Sequence, residues 1–534
     1  MNFNKAFYPF IFSVILAFGV FLGFKIQGNS NAKSKSFYNA AGNSKLEYLL
    51  RLIEAKYVDT VDAQSLYDDA IAKMLTDLDP HSVYLPPLEM KHEAEIMEGN
   101  FEGIGIEFSI QNDTIQVVTP ISGGPSEQVG ISAGDKIIKI NDTLVAGIKI
   151  SNDMVMKKLK GPKDTKVKVT MLKSGTRKMV NYTIKRDKIP LYSLDAGFML
   201  DKTTGYIKIN RFSKTTYAEF YEKLEALTKQ GMQKLILDLR QNPGGFMDQA
   251  TAMADEFIDG SKTIVYTEGR TFPKTYDKAK TPGMFEQGKL AILIDEGSAS
   301  ASEIVSGAVQ DWDRGIIIGR RSFGKGLVQQ EYDLGDGSSV RLTIAKYFTP
   351  SGRSIQRPYD HNVENYYSDI SKRYKDGEVF HQDSIKQDKK ITYKTLIKGR
   401  TVYGGGGITP DIYIPIDTSM LNPFVNAVYE NNLLQEFAYN YYAGNKTNFS
   451  TYKSAASFNQ QFNISQELYA QFVQYCMAHG VNKDVAAYTE KSKAFLSNKL
   501  KAFLGKQAWK NDGFYEVIVQ DDKMVQRARL ELSK

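Results

Sequence analysis

The sequence predicts an α/β core preceded by a small β-rich domain, with helical regions at both ends. Three observations carry this. Between about residues 189 and 416, short apolar runs alternate with helical patterns, and three of those runs end in glycine- or serine-rich turns. Between 101 and 188 the pattern is short strands separated by glycine turns. Before residue 100 and after residue 417, apolar residues recur at helical spacing.

At the amino terminus, Asn4-Lys5 precedes an apolar run over 7–24 that Lys25 closes. That length sits at the lower edge of a membrane-spanning helix and above a usual signal-peptide core. Gly28-Asn29-Ser30-Asn31-Ala32 is a weak cleavage motif, and no cysteine is placed for lipid attachment. Residues 1–28 therefore read as an uncleaved signal anchor, its positive end retained inside. Residues 29–40 are small and polar, the composition of a tether. Within 41–100, Leu46, Leu49, Leu50, Ile53 and Tyr57 fall at helical spacing, and a second amphipathic run passes through Leu66, Ala70, Ile71, Met74 and Leu75.

Residues 101–188 open on Glu102-Gly103-Ile104-Gly105-Ile106-Glu107-Phe108 and continue through Gly130-Ile131-Ser132-Ala133-Gly134-Asp135 into the run Lys136-Ile137-Ile138-Lys139-Ile140-Asn141. The Gly-x-Gly here is not a dinucleotide fingerprint, because no helix and no third glycine follow it.

The core carries the chemistry in three turns. Leu235-Ile236-Leu237-Asp238-Leu239-Arg240 runs into Gln241-Asn242-Pro243-Gly244-Gly245. Leu290-Ala291-Ile292-Leu293-Ile294 is followed by Gly297-Ser298-Ala299-Ser300-Ala301-Ser302-Glu303. Ile316-Ile317-Ile318-Gly319 is followed by Ser322-Phe323-Gly324-Lys325-Gly326-Leu327-Val328-Gln329. A serine at a strand-to-helix turn is exposed near the positive end of a helix. A lysine in a second turn of the same sheet can serve as its base. At its reference pKa of about 10.4 a lysine is almost never neutral at pH 7, so the role requires a pKa nearer ~7–8. Burial between small neighbours such as Gly324 and Gly326 supplies such a shift, at roughly 3 kcal/mol. Consecutive glycines after a strand present bare N–H groups, the requirement of an oxyanion hole. Residues 359–398 form a polar stretch rich in tyrosine and lysine, read as surface hairpins or loops. Beyond 417, Leu421, Phe424, Val425, Val428, Leu433, Leu434, Phe437, Leu468, Phe472 and Val473 continue a helical pattern without a catalytic signature, which suits packing, dimerisation or partner docking.

These three runs, followed by Leu342-Thr343-Ile344-Ala345-Lys346-Tyr347-Phe348-Thr349-Pro350-Ser351-Gly352, resemble in order the motifs of the carboxy-terminal processing proteases. Those are tail-specific serine peptidases with a Ser/Lys dyad and an embedded PDZ domain. The resemblance extends from about Tyr48 to Pro415. It implies a crotonase-like α/β protease core over 189–416, a PDZ domain over 101–188, and helical regions over 41–100 and 417–534. By similarity Ser300 is the nucleophile, Lys325 the base and Gln329 the residue that orients the lysine. The four-residue step from Lys325 to Gln329 puts both on one face if the segment is helical. Ser298 and Ser302 are the competing registers. Gly244 and Gly245 match the oxyanion turn, with the amide of Ala301, or of Ser300 itself, in support. Gly103, Ile104, Gly105 and Ile106 match the loop that takes a peptide carboxylate while the peptide adds as a strand. Relatives often carry an arginine before the late PDZ glycine; this chain has Lys160 before Gly161, and a lysine cannot make a bidentate arginine contact. His81, in Leu78-Asp79-Pro80-His81-Ser82, also matches a family motif and reads as structural.

The resemblance implies protein substrates with free carboxy termini and an enzyme of the cell envelope. Its anchor would sit in the inner membrane with the protease domain on the periplasmic side. A homodimer and an adaptor protein are further partners it leaves open. No cofactor is implied. Cys476 stands alone, which excludes an internal disulfide and a CxxC metal site, and the histidines show no ligand spacing. The net charge of +7 is spread along the chain without a basic tract interleaved with aromatics, so nucleic acid is not a favoured partner. Two other classes fit part of the pattern. A crotonase-type enzyme binding an acyl thioester accounts for Gly244-Gly245 but not for Ser300, Lys325 and Gln329 or the PDZ segment. A non-catalytic, membrane-tethered PDZ scaffold would be free to lose Ser300 or Lys325, and this chain keeps both.

Overall fold

The computed structural model describes residues 45–534, apart from 122, 175, 177, 360–362, 386–390 and 482–488. The anchor and tether read over 1–40 lie outside the described residues. The chain divides into two compact units, 1–74 and 75–534. The described part of the smaller unit consists of the helix Lys45–Lys56 and most of the helix Ala63–Thr76. Tyr57, read as part of the first helix, falls just past its end.

The larger unit is organised around a six-stranded sheet in the order Leu194–Met199, Thr204–Ile209, Lys234–Asp238, Lys289–Ile294, Ile316–Gly319, Ile412–Tyr413. The first pair is antiparallel and the remaining pairs are parallel. The inner strands are runs of leucine, isoleucine and alanine because both of their faces are covered. On one face, Ile207, Leu235, Leu237 and Ile292 pack against Leu224, Met253 and Val305. These come from the helices Thr216–Lys229, Met247–Asp255 and Ala301–Asp311. Alternate residues point the other way, as the pleat dictates. Tyr206, Ile236, Ala291, Leu293 and Ile318 lie under Val519, Met524, Val525, Ala528 and Leu532. The last four belong to the helix Lys523–Ser533. The carboxy-terminal region thus supplies the second cover of the core sheet. Asp238 pairs with Leu293, and Leu293 with Ile318, so three parallel strands end level with one another. The three turns read from the sequence leave from that one edge, where sites on open α/β sheets form.

A second, antiparallel sheet stands beside the first. It joins Val83–Leu85, Ser339–Phe348, Thr263–Glu268 and Thr275–Lys278, with Leu327–Asp333 paired to Ser339–Phe348. Gln329 is therefore on a strand, and the helical face expected for Lys325 and Gln329 does not exist. Lys325 lies in the turn just before that strand, and a bulge between Val328 and Gln329 breaks the simple alternation, yet the two side chains still meet.

The β-rich domain is a sheet of Ile106–Gln111, Thr114–Pro120, Lys136–Ile140, Lys166–Leu172 and Met179–Lys185, with Thr143–Leu144 beside Lys136–Ile140. Ile115, Val117, Ile137, Val155, Val169 and Ile184 fill its core. Lys160 Nζ donates to Glu95 Oε2 at 2.6 Å and lies over the Phe101 ring, so the lysine before Gly161 ties this domain to the helix Pro87–Glu98. Residues 424–517 build a separate helical core around Phe424, Phe458, Phe472, Leu496 and Leu504. Its helix Leu433–Gly444 brings Tyr439 against Gly134 of the β-rich domain.

The stretch 359–398 is not only loops. Its residues 363–375 form the helix Val363–Lys375, which buries Tyr366 and Arg373. The inward face of this helix is aromatic and guanidinium rather than aliphatic, and that concealed its period.

Candidate active site

The helix Ala301–Asp311 begins at Ser300, whose backbone takes φ +53° and ψ −112°. A serine in that left-handed region is strained, and the strain lifts its side chain out of the turn. Gly244 permits the geometry. A Cβ at Gly244 would stand 2.8 Å from Ser300 Cβ and 2.7 Å from the Ala299 carbonyl. The two competing serines are both buried. Ser298 Oγ donates to the Leu239 carbonyl at 2.8 Å, and Ser302 Oγ to the Asn242 carbonyl at 3.0 Å. Of the three, Ser300 alone is partly exposed.

Glu303, three residues on, is fully buried. Its Oε2 accepts the N–H of Ser300 at 2.8 Å and of Lys325 at 2.9 Å. Its Oε1 accepts the Gly324 N–H at 2.7 Å and the Ser322 hydroxyl. Burial pushes the Glu303 pKa up, and these donors oppose the rise. One carboxylate therefore fastens the serine turn to the lysine turn. The buried Tyr347 hydroxyl repeats the link, lying 2.6 Å from the Lys325 carbonyl and 3.1 Å from the Ser300 carbonyl. The Ser300 amide, offered above as an alternative oxyanion donor, is consumed by Glu303.

Lys325 Nζ donates to Gln329 Oε1 at 2.7 Å. Burial lowers its pKa to about 8, helped by the Arg341 cation and opposed by Glu303, Asp79 and Glu93. Gln329 is held in turn, since its Nε2 donates to the His81 carbonyl. The His81 turn is fixed by Asp79, which accepts from His81 N at 2.8 Å, Ser82 N at 2.9 Å and Thr343 Oγ1 at 3.1 Å. The His81 ring stays neutral in this setting: burial and the nearby Lys325 lower its pKa to about 4. Its Nε2 lies 2.7 Å from the Tyr366 hydroxyl. His81 thus contributes to the lysine's surroundings through its main chain.

The glycine turn divides its labour. Gly244 N–H donates to Asn242 Oδ1 at 2.9 Å, so Gly244 serves by its left-handed φ of +96° and not as an oxyanion donor. The N–H groups of Gly245 and Ala301 have no acceptor among the described residues. Asn242 binds the two turns together, its carbonyl accepting Ala299 N–H at 2.9 Å and its Nδ2 reaching the Ile209 carbonyl at 3.1 Å. Among the described residues no group of acids, histidines and cysteines could hold a metal ion.

The other predicted site is built separately. Gly103 ends a strand, Asn100–Gly103, paired with Asp187–Pro190. Ile104 is buried in the β-rich core, so its side chain packs inward and does not line a pocket. The N–H groups of Ile104 and Gly105 have no acceptor among the described residues. Ile106 begins the strand Ile106–Gln111, which is paired on one side only. Open amides followed by a free strand edge suit the carboxylate and backbone of an added peptide.

Glu303, Asn242, Tyr347 and Asp79 received no role from the sequence. Glu303 had a signal in its three-residue spacing from Ser300, that of a capping box. The others act through pairings across distant segments and left none.

A strained serine, a half-buried lysine and two open amides on one edge of an α/β sheet, with a PDZ-like domain in the same chain, define the class of serine proteases that carry a PDZ domain. The family model of Peptidase family S41 matches residues 203–364, and that of the PDZ domain matches 103–184. The activating protease CtpB N-terminal domain matches 21–87, and a family of unknown function matches 424–510. Carboxy-terminal processing protease CtpA of Bacillus subtilis (strain 168) is 34% identical over 387 residues, 70% of this chain and 82% of the relative. The carboxy-terminal-processing protease of Bartonella bacilliformis is 37% identical over 312 residues, 57% of this chain and 70% of the relative. The structure of the photosystem II D1 C-terminal processing protease is 26% identical and covers 69% of this chain and 86% of its own, with a TM-score of 0.36. The chain belongs to the carboxy-terminal processing protease family.

Replacing Glu303 by Gln sets an NH2 group against main-chain donors and leaves at least one unpaired, a cost of about 1–3 kcal/mol. We expect kcat to fall by ten-fold or more, as about 1.4 kcal/mol is a factor of ten. Gly244→Ala, which forces a methyl onto Ser300, should cost more. Steady-state assays of both purified variants check this, and unchanged rates would remove the two residues from the site.

Proposed function

We propose that the chain is an endopeptidase that cuts proteins near their carboxy termini with Ser300 as nucleophile and Lys325 as base. The observation that carries this reading is the shared carboxylate of Glu303, which sets the main chains of both residues beside one another. The neutral Lys325 amine takes the proton of Ser300 Oγ as the oxygen attacks the scissile carbonyl. The carbonyl oxygen becomes an oxyanion facing the free N–H groups of Gly245 and Ala301. The Lys325 ammonium then returns its proton to the leaving amine, the C–N bond breaks, and an ester on Ser300 remains. Water, deprotonated by the same lysine, hydrolyses that ester. Gln329 acts through its carbonyl oxygen, which keeps the lysine's side chain in place.

The PDZ loop at Gly103–Ile106 and the open edge of Ile106–Gln111 are proposed to hold the substrate tail, with the carboxylate on the free amides. The apolar run over 7–24 is proposed to anchor the enzyme in the inner membrane with the protease domain on the periplasmic side.

Ser300→Ala and Lys325→Ala should each abolish peptide cleavage while leaving the fold intact by circular dichroism. Full activity in Lys325→Ala would sink the dyad.

The pH dependence follows from the sign of the lysine shift. The base is the neutral form, so kcat/KM should rise through about pH 8 and fall close to ten-fold per unit below it. A profile flat between pH 6 and 9 would show that Lys325 is not the titrating base.

Peptides with a free apolar tail should be cut much faster than the same peptides amidated at the carboxy terminus. Equal rates would leave a general endopeptidase.

Full-length protein should pellet with membranes and be digested by protease added to spheroplasts. Recovery in the soluble fraction would remove the anchor.

A further inference from the structure

The glycine turn is held from behind by a charge cluster in which Lys208 and Asp238 are buried and Arg240 and Asp522 half-buried. Arg240 N and Nε each donate to Asp238 Oδ1 at 3.0 Å, and Nη2 donates to Oδ2 at 2.5 Å. Tyr206 O–H donates to the same carboxylate at 2.7 Å. Lys208 Nζ lies 3.5 Å from Asp238 and donates to the Arg240 carbonyl. Burial alone would raise the Asp238 pKa; Arg240 and Lys208 hold it well below the usual carboxylate range. The remaining arm of the guanidinium, Nη1, reaches Asp522 Oδ2 at 2.7 Å. Asp522 Oδ1 accepts the N–H groups of Met524 at 2.9 Å and Val525 at 3.1 Å, which makes it the cap of the helix Lys523–Ser533. One carboxylate thus starts the helix that covers the back of the sheet and completes the coordination of Arg240. Lys499 also lies within electrostatic reach of Asp522 and Arg240, so without Asp522 the cations Lys208, Arg240 and Lys499 are left with Asp238 alone beside the turn that ends in Gly245.

We propose that Asp522 is a positioning residue for the oxyanion turn, acting through Arg240, so that the carboxy-terminal helical region takes part in catalysis as well as in packing. The inference rests on the reading of the Gly245 and Ala301 amides as oxyanion donors. Arg240 fixes the main chain where the turn leaves its strand, and from there Asn242 and Gly244 pass the orientation on to Gly245. An N–H turned away from the developing oxyanion loses strength in the transition state and little in the bound substrate.

Asp522→Asn separates the two tasks of the side chain. Asparagine caps helices about as well as aspartate, but it offers Arg240 no charge. In the full-length enzyme we expect kcat to fall about ten-fold, a fraction of the 10²–10³-fold that deleting an oxyanion donor costs. KM should stay within about two-fold, the pattern of an interaction made only in the transition state. Affinity for a substrate-matched peptidyl boronate, whose tetrahedral oxygen occupies the oxyanion position, should fall in parallel with kcat. Asp522→Glu should recover part of both. Unchanged kcat and boronate affinity, or a rise in KM alone, overturns the proposal. If Asp522→Asn does not fold, Arg240→Lys carries the same test, because it keeps the charge but lacks the fork that spans both carboxylates; normal kcat there also overturns it. Cleavage retained by Ser300→Ala would instead overturn the reading beneath the inference.

Discussion

The site depends on a carboxylate that touches no substrate. Glu303 sits where the serine turn, the lysine turn and the first turn of a buried helix converge, and it accepts from both turns. Its side chain has the right reach: from the third helical position a glutamate can turn back to the cap residue and still extend one oxygen outward. A buried carboxylate is costly unless each lone pair is used, and here the donors that use them belong to the serine and lysine turns. The desolvation cost and the placement of the machinery are therefore settled by one interaction. Tyr347 adds a neutral copy of the same link on the carbonyl side, so Lys325 is fixed at both its N–H and its C=O.

The lysine's environment follows a similar economy. Lowering its pKa from 10.5 to about 8 takes about 3 kcal/mol from the folded state at neutral pH. Among the described residues no carboxylate is a direct partner of its amine. Its side-chain acceptor is the neutral Gln329, which orients the amine without stabilising its charge as an anion would. The carboxylates nearby are occupied elsewhere, Glu303 by main-chain amides and Asp79 by the His81–Ser82 turn.

The parallel strands and the three turns were legible because each rests on local chemistry: buried aliphatic runs, then glycine or serine where the backbone must turn sharply. Ser300, Lys325 and Gly245 stand out in those turns for that reason. The dependence of Gln329 on a strand was not legible, since a four-residue step suggests a helix face, whereas here a turn and a bulged strand start bring the two side chains together. The role of Gly244 was misread because adjacent glycines look alike in sequence, whereas one spends its amide on Asn242 and the other does not. The helix Val363–Lys375 was hidden because its buried positions are Tyr366 and Arg373; the arginine is satisfied by the carbonyls of Ser322 and Phe323 and by Asp369, partners no periodicity reveals. The back cover of the sheet could not be foreseen from a helical pattern that begins far beyond the last core motif.

That back cover has a consequence for how the chain is made. The strands Lys234–Asp238, Lys289–Ile294 and Ile316–Gly319 emerge early, yet Val519, Met524, Val525, Ala528 and Leu532 follow roughly 200 residues later. At a synthesis rate of about 5–20 residues per second, that interval is on the order of 10–40 s. For its duration one face of the sheet, bearing Ile236, Ala291, Leu293 and Ile318, lacks the helix that covers it in the folded chain. Contacts so distant in sequence also close slowly. The nascent protease is thus a client for whatever shields apolar surface in its compartment, and its core can be completed only after the intervening helical domain has been made.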